Sequence, residues 1–380
     1  MILMEKETLI WAEEALEKVT KKMECVHERS KDKIPYTTVN GVHDDHSKND
    51  IGWWTNGFWG GIMWQLYNVT KDERYKKTAI ENEEKLDALF LNYKLLDHDN
   101  GFKWLPTAVA NYRVTSNDQS KNRGILAADN LAGRFNANGN FIRAWNDWDG
   151  DKVDRRGWAI IDCMMNLPLL YWASETTKDP RYKHIAIKHA NTAKENFVRP
   201  DGSVKHIVEF DIEKGGEVKN YGGQGYKEGS SWTRGQGWGI YGFALSFLHT
   251  GDIEYLKTAQ KIADHFIEKT PENGLIPVDF EQPSDITWED STAAAIAACG
   301  MIQISKFDEC TDKDKYYNAA VKLIKALTDN RINWNENEDD LLTKCTAAYH
   351  DEKHEFSIIY GDYYYIEALC KLTDKELFIW

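Results

Sequence analysis

The chain has 380 residues, 42% hydrophobic and 28% charged, with 15 Trp, 18 Tyr and 14 Phe, enough for one large core or two ordinary ones. A formal net charge of −14 excludes a broad basic surface for nucleic acid or anionic lipid. An acidic ligand would have to be met by a few local cations. The 8 prolines and the lack of any Ser/Gly/Pro-rich stretch leave no linker to cut at, so residues 1–380 read as a single domain. The 6 cysteines (25, 163, 299, 310, 345 and 370) show no CxxC and no framework spacing, and read as free thiols in a reducing compartment. Met1–Glu7 carries too short an apolar run for a signal peptide, and no 18-residue apolar span occurs. The expectation is a soluble cytoplasmic protein without a membrane partner.

Along the chain the dominant feature is a repeat. TKDERYKKTA (70–79), TKDPRYKHIA (177–186), TGDIEYLKTA (250–259) and TDKDKYYNAA (311–320) each combine a turn signal with a helical start. TSNDQSKNRG (115–124) and TDKELFIW (373–380) are weaker copies of the same slot. The segments before these turns, such as GFWGGIMWQLYNVT and GWGIYGFALSFLHT, are apolar nearly all round and so are buried on every side. The segments after them, such as YLKTAQKIADHFIEK, carry a one-sided stripe of helical period. Six pairs of inner helix, turn and outer helix predict a closed ring of twelve helices, an all-α (α/α)6 barrel. Strand signals are confined to SVKHIVEFD and LIPVDF, read as short loop hairpins.

If the turns lie at one end of the barrel, the connections feeding the inner helices gather at the other. These are WWTNGFWGG (53–61), LDHDNGFKWLP (96–106), DRRGWAIIDCMMNLP (154–168), GSSWTRGQGW (229–238), ITWEDST (286–292) and EFSIIYGDYY (355–364). Their mixture of aromatic, acidic and amide groups suits a sugar, whose C–H faces pack on rings and whose hydroxyls seek polar partners.

Pro106 and Pro168 each follow a Leu and each precede the turn Thr by nine residues, so both inner helices are expected to begin near them. Asp99 lies seven residues before the first and Asp162 six before the second, which places the two acids at matching heights on adjacent repeats. Paired carboxylates push one pKa up, giving an acid and a base. The apolar flanks of Asp162 (Ile160, Ile161, Met164, Met165) make it the one kept protonated near neutral pH. Asp99 taken alone could be a helix N-cap. Asp290 reads as a plain cap, and Asp362 is undecided between cap and site. Gln224 and Arg234 lie in a glycine-dense stretch (YGGQGYKEGSSWTRGQGWG) that suggests a close-fitting ligand loop. His206 alone reads as an ordinary loop histidine. No His/Cys/Asp/Glu set has metal-ligand spacing; HDDH (43–46) is a weak exception, expected to be solvated.

WTNGFWGGIMW, HDNGFKWLPTAVANYRVT, RAWN (143–146), GWAIIDCMMNLPLLYWAS, SWTRGQGWGIYGFA, DSTAAAIAACGM and YGDYYYIEAL together resemble the unsaturated glucuronyl hydrolases, glycoside hydrolase family 88. The resemblance runs in order from about residue 50 to 370. It implies an (α/α)6 barrel without a cofactor. It also implies a substrate bearing a 4,5-unsaturated uronic acid at its non-reducing end, the product of a polysaccharide lyase acting on chondroitin, hyaluronan or heparin. By motif match, Asp162 is the general acid/base that protonates C4 and delivers water to C5. Asp99 is the second essential acid, expected to hold sugar hydroxyls and keep Asp162 protonated. His206, Gln224 and Arg234 fall at polar substrate contacts, and Trp54, Trp145, Trp232 and Trp238 at aromatic walls. In the last loop, YHDEKHEFS (349–357), His350, Lys353 and His354 either receive a sulfate or carboxylate or are solvated loop charges. The rival readings are an unsaturated rhamnogalacturonyl hydrolase, a sugar 2-epimerase, which would use histidines as acid and base, and a non-catalytic sugar-binding barrel.

Overall fold

The computed structural model describes residues 2–147 and 152–380. Among these, six inner helices are Phe58–Thr70, a composite from Asn100 to Thr115, Leu167–Thr177, Thr233–Thr250, Ser291–Lys306 and Ile359–Leu372. Six outer helices are Ile2–Ser30, Glu73–Lys85, Asp118–Gly133, Arg181–Asn196, Ile253–Lys269 and Lys313–Asn330. Each inner helix packs on the next, and Ile359–Leu372 packs on Phe58–Thr70, so the ring closes as an (α/α)6 barrel.

The repeated Thr has a specific job. Thr70, Thr115, Thr177 and Thr250 donate their hydroxyls to the carbonyl four residues back, and accept the amide two residues on. The Asp or Asn at that second position (Asp72, Asn117, Asp179, Asp252) then accepts an amide at the start of the outer helix. Between them the backbone passes through the left-handed region, at Lys71 (φ 61), Ser116 (φ 58), Lys178 (φ 62) and Gly251 (φ 73). One short motif thereby ends one helix, reverses the chain and starts the next.

The last two copies depart from the repeat: the fifth inner helix ends at Lys306, before Thr311, and Asp312 makes no side-chain cap for the helix that follows. Thr373 ends the last inner helix, but Asp374–Trp380 does not open an outer helix as the repeat predicts; the sixth outer helix is Ile2–Ser30, from the other end of the chain. Lys22 and Arg29 fasten it. Lys22 donates to the carbonyls of Asn333 (2.7 Å) and Asn335 (3.0 Å), and Arg29 pairs with the buried Asp339 at 2.7 Å. Freed from helix formation, the tail turns into the barrel. Arg113 donates to the carbonyls of Phe378 and Ile379, and Trp380 is fully buried with its indole N–H on Glu367 at 2.7 Å. The Trp380 ring lies parallel to Tyr364 and meets Phe58 and Phe102.

Two other expectations need correction. The second inner helix starts at Asn100, not near Pro106. Pro106 sits in a π-helical turn, Leu105–Val109, whose wider hydrogen-bond ladder accommodates the missing N–H within a continuing helix. The third inner helix does begin beside its proline, at Leu167. SVKHIVEFD supplies the middle strand of an antiparallel sheet ordered Trp158–Ile160, Ile207–Phe210, Glu217–Tyr221, whereas LIPVDF forms no strand, only the isolated bridges Pro277–Glu289 and Trp232–Asp279.

Lys371, fully buried, stands 2.6 Å from Glu376 and 3.9 Å from Glu367. Removing one member of a buried ionic cluster strands the others, at about 3–5 kcal/mol. Lys371→Met is expected to lower unfolding stability by about that amount, read as a fall in the urea midpoint at unchanged slope.

Candidate active site

The N-terminal ends of the inner helices carry the candidate residues to one end of the barrel. Asp99 occupies the N-cap position of the helix beginning at Asn100, yet its carboxyl makes no capping bond. It is left available for other work. Asp162 lies in a short 3-10 helix, Ile161–Met165, one turn before Leu167–Thr177. Asn166 joins the two. Its amide nitrogen donates to the Asp99 carboxylate (3.5 Å) and to the Asp162 carbonyl (3.3 Å), while its oxygen accepts the Phe102 amide at 2.8 Å. The fit is tight, because a Cβ on Gly101 would stand 2.5 Å from the Asn166 Cα.

Both acids are shifted upward. Burial pushes Asp162 up to about 7, against the opposing charge of Arg234. Its buried Oδ1 has no hydrogen-bond partner among the described residues. Burial raises Asp99 well above the usual carboxylate range, and the negative charges of Asp97 and Asp162 add to the shift. The expected division into one raised and one ordinary carboxyl is therefore corrected: both are raised, since neither is well solvated. Asp97, missed in the sequence, explains part of this. Burial works against its ionisation, but Lys103, His98 and Arg134 hold it below the usual carboxylate range. It accepts the Asp99 amide at 3.0 Å and faces the buried Lys103 ammonium at 3.1 Å. His98, also missed, places Nε2 3.5 Å from Asp99, and burial lowers its pKa to about 3, so the ring is neutral.

His206 is buried against Trp232, with ring centroids 4.3 Å apart, and its Nδ1 accepts the Gln224 amide at 3.0 Å. Burial lowers its pKa to about 3. The ring is thus neutral, with Nδ1 the acceptor and Nε2–H the donor. Gly223 makes this contact feasible: at φ +58 its missing Cβ would overlap the His206 ring. Other glycines of that stretch serve packing instead, since a Cβ on Gly237 would crowd Ile296 and one on Gly239 would crowd Ile262.

Arg234 is fully buried and well partnered. It donates to Asp290 at 2.7 Å and to the carbonyls of Thr346 and Ala347, with Gln224 Oε1 at 3.5 Å. Its guanidinium covers the Trp232 and Tyr360 rings at 4.6 and 5.6 Å. Asp290 does cap its helix through the Thr292 amide, but it is more than the plain cap expected, because its second oxygen fixes Arg234. Asp362 accepts the Leu342 amide at 2.7 Å, and burial pushes it up to about 8. It ties the loop before the last inner helix.

Trp54 is half-buried and borders Tyr360 (4.7 Å), Phe102 (5.3 Å) and Trp238 (6.5 Å). Trp238 is buried and backs this wall, while the buried Trp232 packs apart from it, against His206 and under Arg234. Trp145 is half-buried beside His98 at 6.4 Å. Lys353 is exposed, with its ammonium 4.4 Å above the Phe356 ring. His350 and His354 each engage a backbone carbonyl, of Tyr226 and Tyr349, and His354 stacks on Trp288 at 3.6 Å. HDDH (43–46) is not the solvated run expected. His43 is buried on Ser30, while Asp44 accepts the Tyr36 and Thr37 amides and Asp45 accepts that of Ile34. Of the residues missed, Asp97 and His98 immediately precede Asp99 and Asn166 follows Asp162 by four residues, and only that closeness could have flagged them.

Comparison with known proteins agrees with this geometry. The model of Glycosyl Hydrolase Family 88 matches residues 26–375. The chain is 37% identical over 348 residues to the unsaturated glucuronyl hydrolase of Bacillus sp. (strain GL1), covering 90% of this chain and 91% of that one. It is 33% identical over 383 residues to the unsaturated chondroitin disaccharide hydrolase of Streptococcus agalactiae serotype III (strain NEM316), covering 98% and 94%. A solved structure of an unsaturated glucuronyl hydrolase variant from Streptococcus agalactiae, complexed with dGlcA-GalNAc6S, superposes with a TM-score of 0.80 at 30% identity, over 98% of this chain and 94% of that one. With the family match spanning most of the chain and a fold and mouth to fit it, the protein belongs to glycosyl hydrolase family 88.

Proposed function

We propose that the protein, acting through residues 1–380 as one catalytic domain, is an unsaturated glucuronyl hydrolase. It releases a 4,5-unsaturated uronic acid from the non-reducing end of glycosaminoglycan oligosaccharides made by lyases. The observation that carries this reading is Asp162, a largely buried carboxyl raised to about 7 by that burial and set beside a second raised carboxyl at an aromatic mouth. Hydration of an enol ether needs an acid that is protonated at rest and can then accept a proton from water.

Asp162 gives its proton to C4, and positive charge develops over C5 and the ring oxygen. Water attacks C5 while its proton passes to the Asp162 carboxylate, which restores the acid. The resulting hemiketal opens at the C5–O bond, and the C1 hemiacetal so formed expels the remaining sugar. Arg234, bound to Asp290, offers its field to Asp162 during the ionised phase and shapes the wall through Thr346 and Ala347. Asp99, its pKa raised by burial, exchanges hydrogen bonds with sugar hydroxyls, and that shift toward the protonated form spares Asp162 part of a like charge. His206 Nε2–H and the Gln224 amide side chain are further polar contacts. Trp54, backed by Trp238, and Trp145, beside His98, offer ring faces, Trp232 supports His206, and Lys353 at the rim meets a sulfate or carboxylate of the second sugar. The six cysteines, free and mostly buried, support a cytoplasmic location.

Purified protein should abolish the ultraviolet absorbance of unsaturated chondroitin, hyaluronan or heparin disaccharides, and act less well on pectin lyase products. Absorbance that persists with every uronide would end this reading. Asp162→Asn should keep its far-UV circular dichroism and lose roughly 10²–10⁴-fold in kcat. Because the acid acts in its protonated form, kcat/KM should be level below pH about 7 and fall tenfold per unit above it, measured from pH 5 to 9. Asn166→Ala should lower kcat by roughly 10²-fold with a smaller change in KM, since it leaves both acids in place but unregistered.

A further inference from the structure

Beside the barrel core lies a separate small cluster on one face of the three-stranded sheet. Ala144, Ile160 and Ile207 are buried under Trp145, Trp158 and Tyr221, and those three rings are only half-buried. The rings form a continuous strip leading away from the acids. His98 adjoins Asp99 and meets Trp145 at 6.4 Å; Trp145 meets Trp158 at 6.3 Å, and Trp158 meets Tyr221 at 4.9 Å. Strand register builds the strip. Ile160 pairs with Ile207 and Ile207 with Tyr221, while Trp158 pairs with Glu209 and Glu209 with Lys219, so the two rows share a face.

The charges on this face are placed at ring edges and faces. The Arg155 guanidinium lies 5.5 Å from the Trp158 centroid, and the Lys219 ammonium 4.6 Å from that of Tyr221. Glu209, the acid of this face, accepts the Tyr221 hydroxyl at 2.5 Å, which holds that ring in place. Two neighbouring arginines are neutralised, Arg143 by Asp147 and Arg156 by Asp154, each at 2.8 Å. The Arg155 side chain is buried, so what the row presents outward is the exposed Lys219 ammonium beside Glu209, over half-open aromatic rings that are continuous with the acid pair. A cover for the sheet alone would need apolar area, but not rings in file with an exposed ammonium over one of them. Pyranose C–H faces stack on such rings, and uronate carboxylates or sulfates meet such cations.

We infer that Trp158, Tyr221 and Lys219 form an extended subsite for the sugar units beyond the disaccharide in an acidic oligosaccharide whose unsaturated end lies at Asp162. This rests on the proposed function and adds a chain-length preference to it. The test compares unsaturated chondroitin disaccharide and tetrasaccharide as substrates of the wild type, Trp158→Ala and Lys219→Ala. The subsite predicts that each variant loses about tenfold in kcat/KM for the tetrasaccharide, through KM, and stays within twofold for the disaccharide. Parallel losses on both substrates would mark a structural role, and no loss on either would mark an idle surface; both results overturn the inference. If the wild type turns over neither substrate, the proposed function falls instead. The subsite is then decided by calorimetry with saturated chondroitin tetrasaccharide, where Trp158→Ala must weaken binding about tenfold and unchanged binding rejects it.

Discussion

A ring of helical hairpins has no exposed inner edge only if its last inner helix finds an outer partner, and here that partner comes from the opposite end of the chain. Ile2–Ser30 covers Ile359–Leu372, with Lys22 and Arg29 pinning it to the loop around residues 333–339. The site depends on this closure. Once the ring is shut, six inner-helix N-termini converge on one mouth, and side chains distant in sequence, such as Asp99, Asp162, His206 and Arg234, share one electrostatic environment. Closure also frees Asp374–Trp380 to fill the barrel interior. Trp380 touches Phe102, whose amide is held by Asn166, so packing of the interior reaches the acids through a single residue.

The second constraint is water. A carboxyl on a solvated surface ionises below pH 5, which would make it useless as an acid at neutral pH. The mouth removes water with rings and with a loop clamped by Arg234, not by enclosing the acids in a hydrocarbon core. That distinction matters because a carboxyl in such a core would be stranded in either protonation state, whereas Asp162 has Arg234 to oppose the burial of its charge. The arginine is in turn kept from over-stabilising the carboxylate by its own pairing with Asp290. Each charge in the chain of Asp162, Arg234 and Asp290 limits the next.

Much of the fold was legible because it repeats. The Thr-x-Asp turns work by local hydrogen bonds, so their signature survives in the sequence. What failed was non-local. Nothing in TDKELFIW says that the outer slot after Thr373 is taken by residues 2–30, and nothing around Pro106 announces a π turn that lets the helix run on. At the site, Asp99 and Asp162 stood out because acids are rare among apolar neighbours. Asn166 and His98 did not, since an amide or histidine before a helix is ordinary until its partners are known. Arg234 and Asp290 were each noticed, one as a ligand contact and one as a cap, yet their pairing depends on two loops meeting across the barrel.

The relation of Asn166 to the acids carries one more consequence. Its amide nitrogen faces Asp99 Oδ1, and His98 Nε2 stands at 3.5 Å from the same oxygen. With its pKa raised, Asp99 in its protonated form carries a proton on one carboxyl oxygen. That oxygen then becomes a donor, which an ionised aspartate could never be. A sugar hydroxyl can accept from such an oxygen, a contact that an acceptor-only carboxylate does not offer. Raised pKa values at this mouth thus bear on hydrogen bonding as well as on proton supply, and the two roles fall on different carboxyls because Asp162, the less buried of the two, has an oxygen without a partner among the described residues.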